Sequence, residues 1–139
     1  MKVLSTLTLS TLALGCSLTG CSSASVEQRT WALESFASES VPVDSVQGMT
    51  SEFTLADGKV TSNAGVNSFK GTYELSGDDI NFGPLASTKM AGPPEAMKRE
   101  TRFLQGLESA AHVEVRNETM TLSNDNDVVL MLLIPAAKS

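Results

Sequence analysis

Cysteine is nearly absent from this 139-residue sequence, and the two it has, Cys16 and Cys21, both lie near the start. None follows Cys21, so no disulfide framework spans the body of the chain and no thiol serves there as nucleophile or ligand. Histidine is scarcer still. His112 stands alone, and metal sites built on His and Cys lack ligands. Serine is common, yet no G-x-S-x-G elbow presents one as a nucleophile. No glycine-rich phosphate loop of the required spacing occurs. Basic residues are few, 10 against 16 acidic, for a net charge of −6. The densest basic group, Lys98-Arg99 with Arg102, is interrupted by Glu95 and Glu100, which argues against nucleic acid as a partner. Long apolar runs are also missing. The longest unbroken one in the body, Val128 to Ile134, is far too short to span a bilayer.

Against these absences, the first twenty residues have a definite character. Lys2 is followed by an apolar and small-residue run from Val3 to Gly15, with no acidic residue. That is the pattern of a secretory signal, and a run diluted by Ser5, Thr6, Thr8, Ser10 and Thr11 cannot serve as a spanning helix. Leu18-Thr19-Gly20-Cys21 resembles a bacterial lipobox, which implies diacylation of the Cys21 sulfur and cleavage before it. Cys16 fits less well, with bulky Leu14 where a small residue is normal. Several acyl chains anchor a protein stably where one does not. Ser22 and Ser23 lack the acidic residue associated with inner-membrane retention. The expectation is a lipid anchor at Cys21 in the cell envelope, on the outer membrane facing the periplasm. Residues 1–20 are then a signal peptide, 21–29 a tether and 30–135 the domain.

The rest of the chain alternates in short periods. Trp31 and Leu33 share a strand face, as do Phe53 and Leu55, Ile80 and Phe82, Val113 and Val115, and Met120 and Leu122. Asp57-Gly58 between alternating runs is a hairpin signal, because a type I′ turn needs positive φ at both central residues. Ser76 to Asp79 and Asn124 to Asp127 read as further turns. Val128 to Ile134 reads as a strand covered on both faces. Pro93 to Ala111 is the one helix, with Met97, Phe103, Leu104, Leu107, Ala110 and Ala111 forming its apolar stripe. Lys98, Arg99, Arg102 and Glu108 are expected on the other side. His112, whose alternates Glu114 and Arg116 are polar, is expected to face solvent.

Between Val60 and Tyr73 the chain reads V-T-S-N-A-G-V-N-S-F-K-G-T-Y, expected as one bent strand with Gly65 and Gly71 at its bends. Farther on stands F-G-P-L-A-S-T-K-M-A-G, from Phe82 to Gly92. In this order, with a helix after them, these stretches resemble the signature of the META domain, the family of the HslJ-like bacterial lipoproteins. The motif positions are Gly65, Asn67, Phe69, Gly71, Tyr73, Thr88 and Met90, and a structural role is expected for each. The family's two cysteines, held to pair with each other, correspond to Val66 and Gly92 and are lost together.

The resemblance implies a mainly β fold: a small antiparallel β-barrel, lipocalin-like in topology, with one packed α-helix over about residues 94–110. It also implies an envelope lipoprotein with a stress-related, structural or binding role rather than an enzyme. No catalytic residue, cofactor or metal site is assigned. The partners expected are the membrane, through Cys21, and an unknown envelope protein. A barrel carrying a small apolar ligand is the alternative, less favoured because small barrels are usually filled by their own side chains.

Overall fold

A computed structural model of the protein describes residues 26–37 and 50–137. Cys16, Cys21, the signal-like segment and most of the Pro42-containing loop lie outside the described residues. Within them the chain forms β1 (Arg29–Phe36), β2 (Glu52–Ala56), β3 (Lys59–Asn63), β4 (Ser68–Ser76), β5 (Asp79–Phe82), β6 (Ala86–Ser87), α1 (Pro94–Ser109), β7 (His112–Arg116), β8 (Thr119–Ser123) and β9 (Val129–Pro135). Every pairing is antiparallel. The order β3-β2-β1-β9-β8-β7-β5-β4 closes on itself where β3 pairs with β4, while two-residue β6 lies alongside β4. Among the described residues the fold is a closed eight-strand antiparallel barrel with one helix, as the sequence led one to expect.

The alternation that marks the strands also fills the barrel. Trp31, Phe53, Leu55, Phe69, Met120 and Leu133 are each at most 2% exposed and converge on one core. Phe53 meets Phe82 edge-on with ring centroids 6.1 Å apart, an arrangement favoured by aromatic quadrupoles. The Asp57-Gly58 turn has φ of 52° and 74°, the two positive values a type I′ hairpin requires. The closure is not even around the ring. Between β5 and β7 the register reduces to one pair, Asp79 with His112. Two backbone bonds flank it, Ile80 N–H to the Ala111 carbonyl at 3.0 Å and Val113 N–H to the Asp78 carbonyl at 2.8 Å.

Helix α1 covers one mouth of the barrel. Phe103 stands 6.3 Å from Phe53, the Arg102 guanidinium lies 4.4 Å over the Phe36 ring, and Gly106 sits on Met131. A Cβ at Gly106 would collide with the Met131 methyl, so this glycine permits the close approach and is more than a weak point in the helix. Pro94 at the start suits a first turn whose N–H groups have no intrahelical partner.

Four expectations need correction. The stretch from Val60 to Tyr73 is not one bent strand: β3 ends at Asn63 and β4 begins at Ser68. Gly65, at φ 115°, turns the chain between them. The buried arc of α1 is wider than its apolar stripe, for Ala96, Arg99 and Glu100 are buried with Phe103 and Leu107. Glu100 is drawn in by the turn after β3, and Arg99 beside it turns inward too. Strand β9 is covered on one face only, with Met131 and Leu133 buried and Ile134 39% exposed. The packed part of the chain also extends back to Val26, 4% exposed, ahead of the Thr30 where the domain was expected to begin.

Candidate functional site

The motif residues converge on Asn67, the last residue of the turn between β3 and β4. It is 2% exposed, where a polar group must find partners. Its Oδ1 accepts from Met90 N–H at 2.7 Å and from Thr88 Oγ1 at 2.9 Å. Its Nδ2 donates to the Met90 carbonyl at 3.2 Å and to Glu100 Oε1 at 2.6 Å. Two donors and two acceptors are the whole capacity of a side-chain amide, and all are used. The second Glu100 oxygen accepts the backbone N–H of Asn67 at 2.9 Å and of Val66 at 3.3 Å. Thr88 Oγ1 also accepts Ser68 N–H at 3.2 Å. One amide and one carboxylate thus tie the β3–β4 turn, the segment after β6 and helix α1 together.

The rest of the motif supports this clasp. Gly65 donates its N–H to Asn63 Oδ1 at 3.0 Å. Phe69 and Tyr73 point into the core. Gly71 gives room to Leu85 and the Pro84 carbonyl, 2.6 and 2.9 Å from where a Cβ would be. Met90 itself is 57% exposed; its backbone, not its side chain, does the bonding. Gly92 rests on Val66, and a Cβ built there lies 3.4 Å from the Val66 Cβ. Sequence reading missed Glu100 altogether. A charged residue inside a helix reads as a solvated one, and only the buried polar turn opposite it reveals its task.

At the other mouth, the residues before β1 act as a stopper. Trp31 Nε1 donates to the Val26 carbonyl at 2.9 Å, Gln28 N–H to the Leu55 carbonyl at 2.8 Å, and the Tyr73 hydroxyl to Glu27. Burial, and then the bond to Glu27, push the Tyr73 phenol up to about 12 from its ordinary 10.0.

His112 does not simply face solvent. It is half-buried, with Nδ1 3.1 Å from Asp79 Oδ1 and Nε2 3.9 Å from Asp127. It edges an open cleft of about 450 Å³ whose walls include Leu75, Ile80, Ala110 and Ala111 beside Glu74 and Asp125. The carboxylates are exposed, Asp79 by 76% and Asp127 by 91%, so water screens their pull on the ring. Among the described residues, no three His, Cys, Asp or Glu side chains are grouped to hold a metal ion. None of their helices is long and apolar enough to cross a membrane. In the turn after β8, Asn124 Oδ1 accepts the N–H groups of Asn126 and Val128 at 3.0 and 2.9 Å, which is turn chemistry.

Comparison with known proteins bears on this arrangement. No curated protein matches the sequence. Among solved structures, the chain resembles the NMR structure of a protein from Burkholderia xenovorans, at 23% identity and a TM-score of 0.65, covering 81% of this chain and 85% of that one. A second NMR structure matches at 20% identity and a TM-score of 0.60, over 78% and 91%. A DUF4847 family protein from Bacteroides vulgatus ATCC 8482 matches at 13% identity and a TM-score of 0.54, over 82% and 96%. At such identities these likenesses establish the fold alone. The sequence model of the META domain matches residues 24–136, a span that holds both mouths of the barrel and the Asn67 clasp, and the chain therefore belongs to the META domain family.

Proposed function

We propose that the protein is a lipid-anchored, non-enzymatic envelope protein whose rigid META domain serves as a binding or scaffold surface, in a structural or stress-linked role. The observation that carries this reading is the filled barrel. An eight-strand barrel is just wide enough for its own side chains or for one small ligand. Here Trp31, Phe53, Phe69 and Met131 occupy it, while Phe103 and Val26 pack at its two mouths. An apolar cargo would have to displace aromatic side chains, each among the largest contributors to a core. The anchor rests on the lipobox at Cys21. Incorporation of labelled palmitate tests it. The wild type and Cys16→Ser should take up label and Cys21→Ser should remain an unlabelled precursor; loss of label in Cys16→Ser instead would move the cleavage site.

One observation favours a second reading. His112 with Asp79 at the rim of a cleft is the pairing of a general base and the carboxylate that orients it. An enzyme would require a substrate group within reach of Nε2. His112→Asn should leave every property of a scaffold unchanged, whereas a lost turnover in the envelope would favour the catalytic reading.

A further inference from the structure

We propose that the mouth closed by Val26–Gln28 faces the lipid bilayer, and that the mouth covered by helix α1 faces away from it; the inference rests on the lipid anchor at Cys21 proposed above. Its basis is where the chain is pinned. Val26 is 4% exposed, its carbonyl holds Trp31 Nε1 at 2.9 Å, Glu27 accepts from Tyr73, and Gln28 N–H bonds the Leu55 carbonyl at 2.8 Å. The tether therefore ends at Val26. Five Cα–Cα steps separate this residue from Cys21, a reach of at most about 18 Å.

The two mouths lie at opposite ends of the same strands. Arg29 pairs with Leu55 at the start of β1, and Phe36 pairs with Met131 at its end. Phe36 carries Arg102 of the helix, and Met131 carries Gly106. A strand of 8 residues rises about 3.3 Å per residue, about 23 Å along its length and, at the roughly 40° tilt of barrel strands, about 18 Å along the barrel axis. The helix adds a further thickness of about 10 Å. A chain anchored within about 18 Å of Val26 cannot stand inverted, with α1 on the headgroups and Val26 farthest from them.

Charge does not set this orientation. Around the anchored mouth Arg29 and Lys59 are mixed with Asp57 and Glu118, which gives an anionic lipid surface little to hold. The tether alone fixes it, so salt should not alter it. The consequence is that the Asn67 clasp and exposed Met90 and Val128 are presented to the compartment. The hollow lined by Arg29, Thr30, Pro135 and Ala137 is turned toward the membrane.

The experiment uses the full lipid-modified protein in vesicles of phosphatidylethanolamine and phosphatidylglycerol carrying a headgroup quencher. In the mature chain the Cys21 sulfur is a thioether, so one introduced cysteine is the only thiol to label. Ala137→Cys marks the Val26 mouth and Gln105→Cys the exposed side of α1. The Ala137 label should lose most of its emission and the Gln105 label should keep most of its own, at low and high salt alike. Equal quenching, or stronger quenching at Gln105, overturns the proposal. A flexible insert of about fifteen Gly and Ser residues between Ser25 and Val26 should erase the difference; a difference that survives it overturns the tether as the cause. Flotation of the same samples keeps the two readings apart. Protein that floats but is quenched at the wrong end refutes the orientation alone, and protein that does not float refutes the anchor and the orientation with it.

Discussion

The Asn67 amide donates to Glu100 Oε1 at 2.6 Å across 33 residues of sequence, and both groups are buried. This bond joins the turn that the family motif encodes to the helix that covers the barrel. Losing one partner strands the other. Asn67→Ala leaves a buried carboxylate short of a donor and Met90 without its two backbone bonds, at a cost of about 3 kcal/mol or more. Glu100→Gln keeps the shape but sets its NH2 group against a donor, the Asn67 amide when its oxygen stays on the turn's two backbone N–H groups, and should cost less, about 1–2 kcal/mol. Urea unfolding of the two single variants and the double variant measures the coupling. Additive effects would mean that the contact does not stabilise the fold.

The turn is legible in the sequence only by half. Asp57-Gly58 announces its hairpin because the dipeptide itself supplies the geometry, and β2, β5 and β8 follow from strict alternation. Asn67 could be read as a polar group serving buried backbone. Its partner Glu100 could not, because nothing local distinguishes a clasping glutamate from a solvated one. Gly65 marked a change of direction, but a strand bend and a break between two strands look alike until φ is known. Val26 precedes any periodic pattern, so its burial is a tertiary fact. The exposure of Ile134 has the same origin: an unbroken apolar run carries no phase, and the barrel decides which side faces in.

The contact between Val66 and Gly92 makes a second prediction. Their Cβ positions, 3.4 Å apart with an ideal Cβ at Gly92, are close to the spacing of a disulfide. Val66→Cys with Gly92→Cys should oxidise spontaneously, with a mass lower by two hydrogens and unfolding stability raised by about 2–4 kcal/mol. A pair that stays reduced under oxidising conditions would contradict the geometry.

Tyr73 is the only tyrosine, so its phenolate absorbance can be followed without overlap from another. Its pKa is raised from 10.0 to about 12 in the folded state. A raised value means that the folded state favours the protonated phenol. That stabilisation is complete below pH 10 and is lost as the pH climbs toward about 12. Tyr73→Phe should remove this part of the alkaline decline in stability. A titration midpoint at the ordinary tyrosine value would show that the hydroxyl is neither buried nor bonded to Glu27.

Gly106→Ala sets two effects against each other. In an exposed helix the change gains about 1 kcal/mol. Here the added methyl meets the Met131 side chain, and overpacking of this kind costs about 1–3 kcal/mol. The variant should be less stable, and Met131→Ala in the same chain should restore the benefit of alanine at position 106. A Gly106→Ala protein with a raised melting temperature would place the helix farther from β9.

Native mass spectrometry of the protein purified from its own envelope tests most directly whether it is a lipid-anchored barrel filled by its own side chains. The predicted result is one mass, that of a chain beginning at acylated Cys21 with no other molecule bound. A stoichiometric apolar ligand that dissociates on unfolding, or a chain without acyl groups, would contradict it.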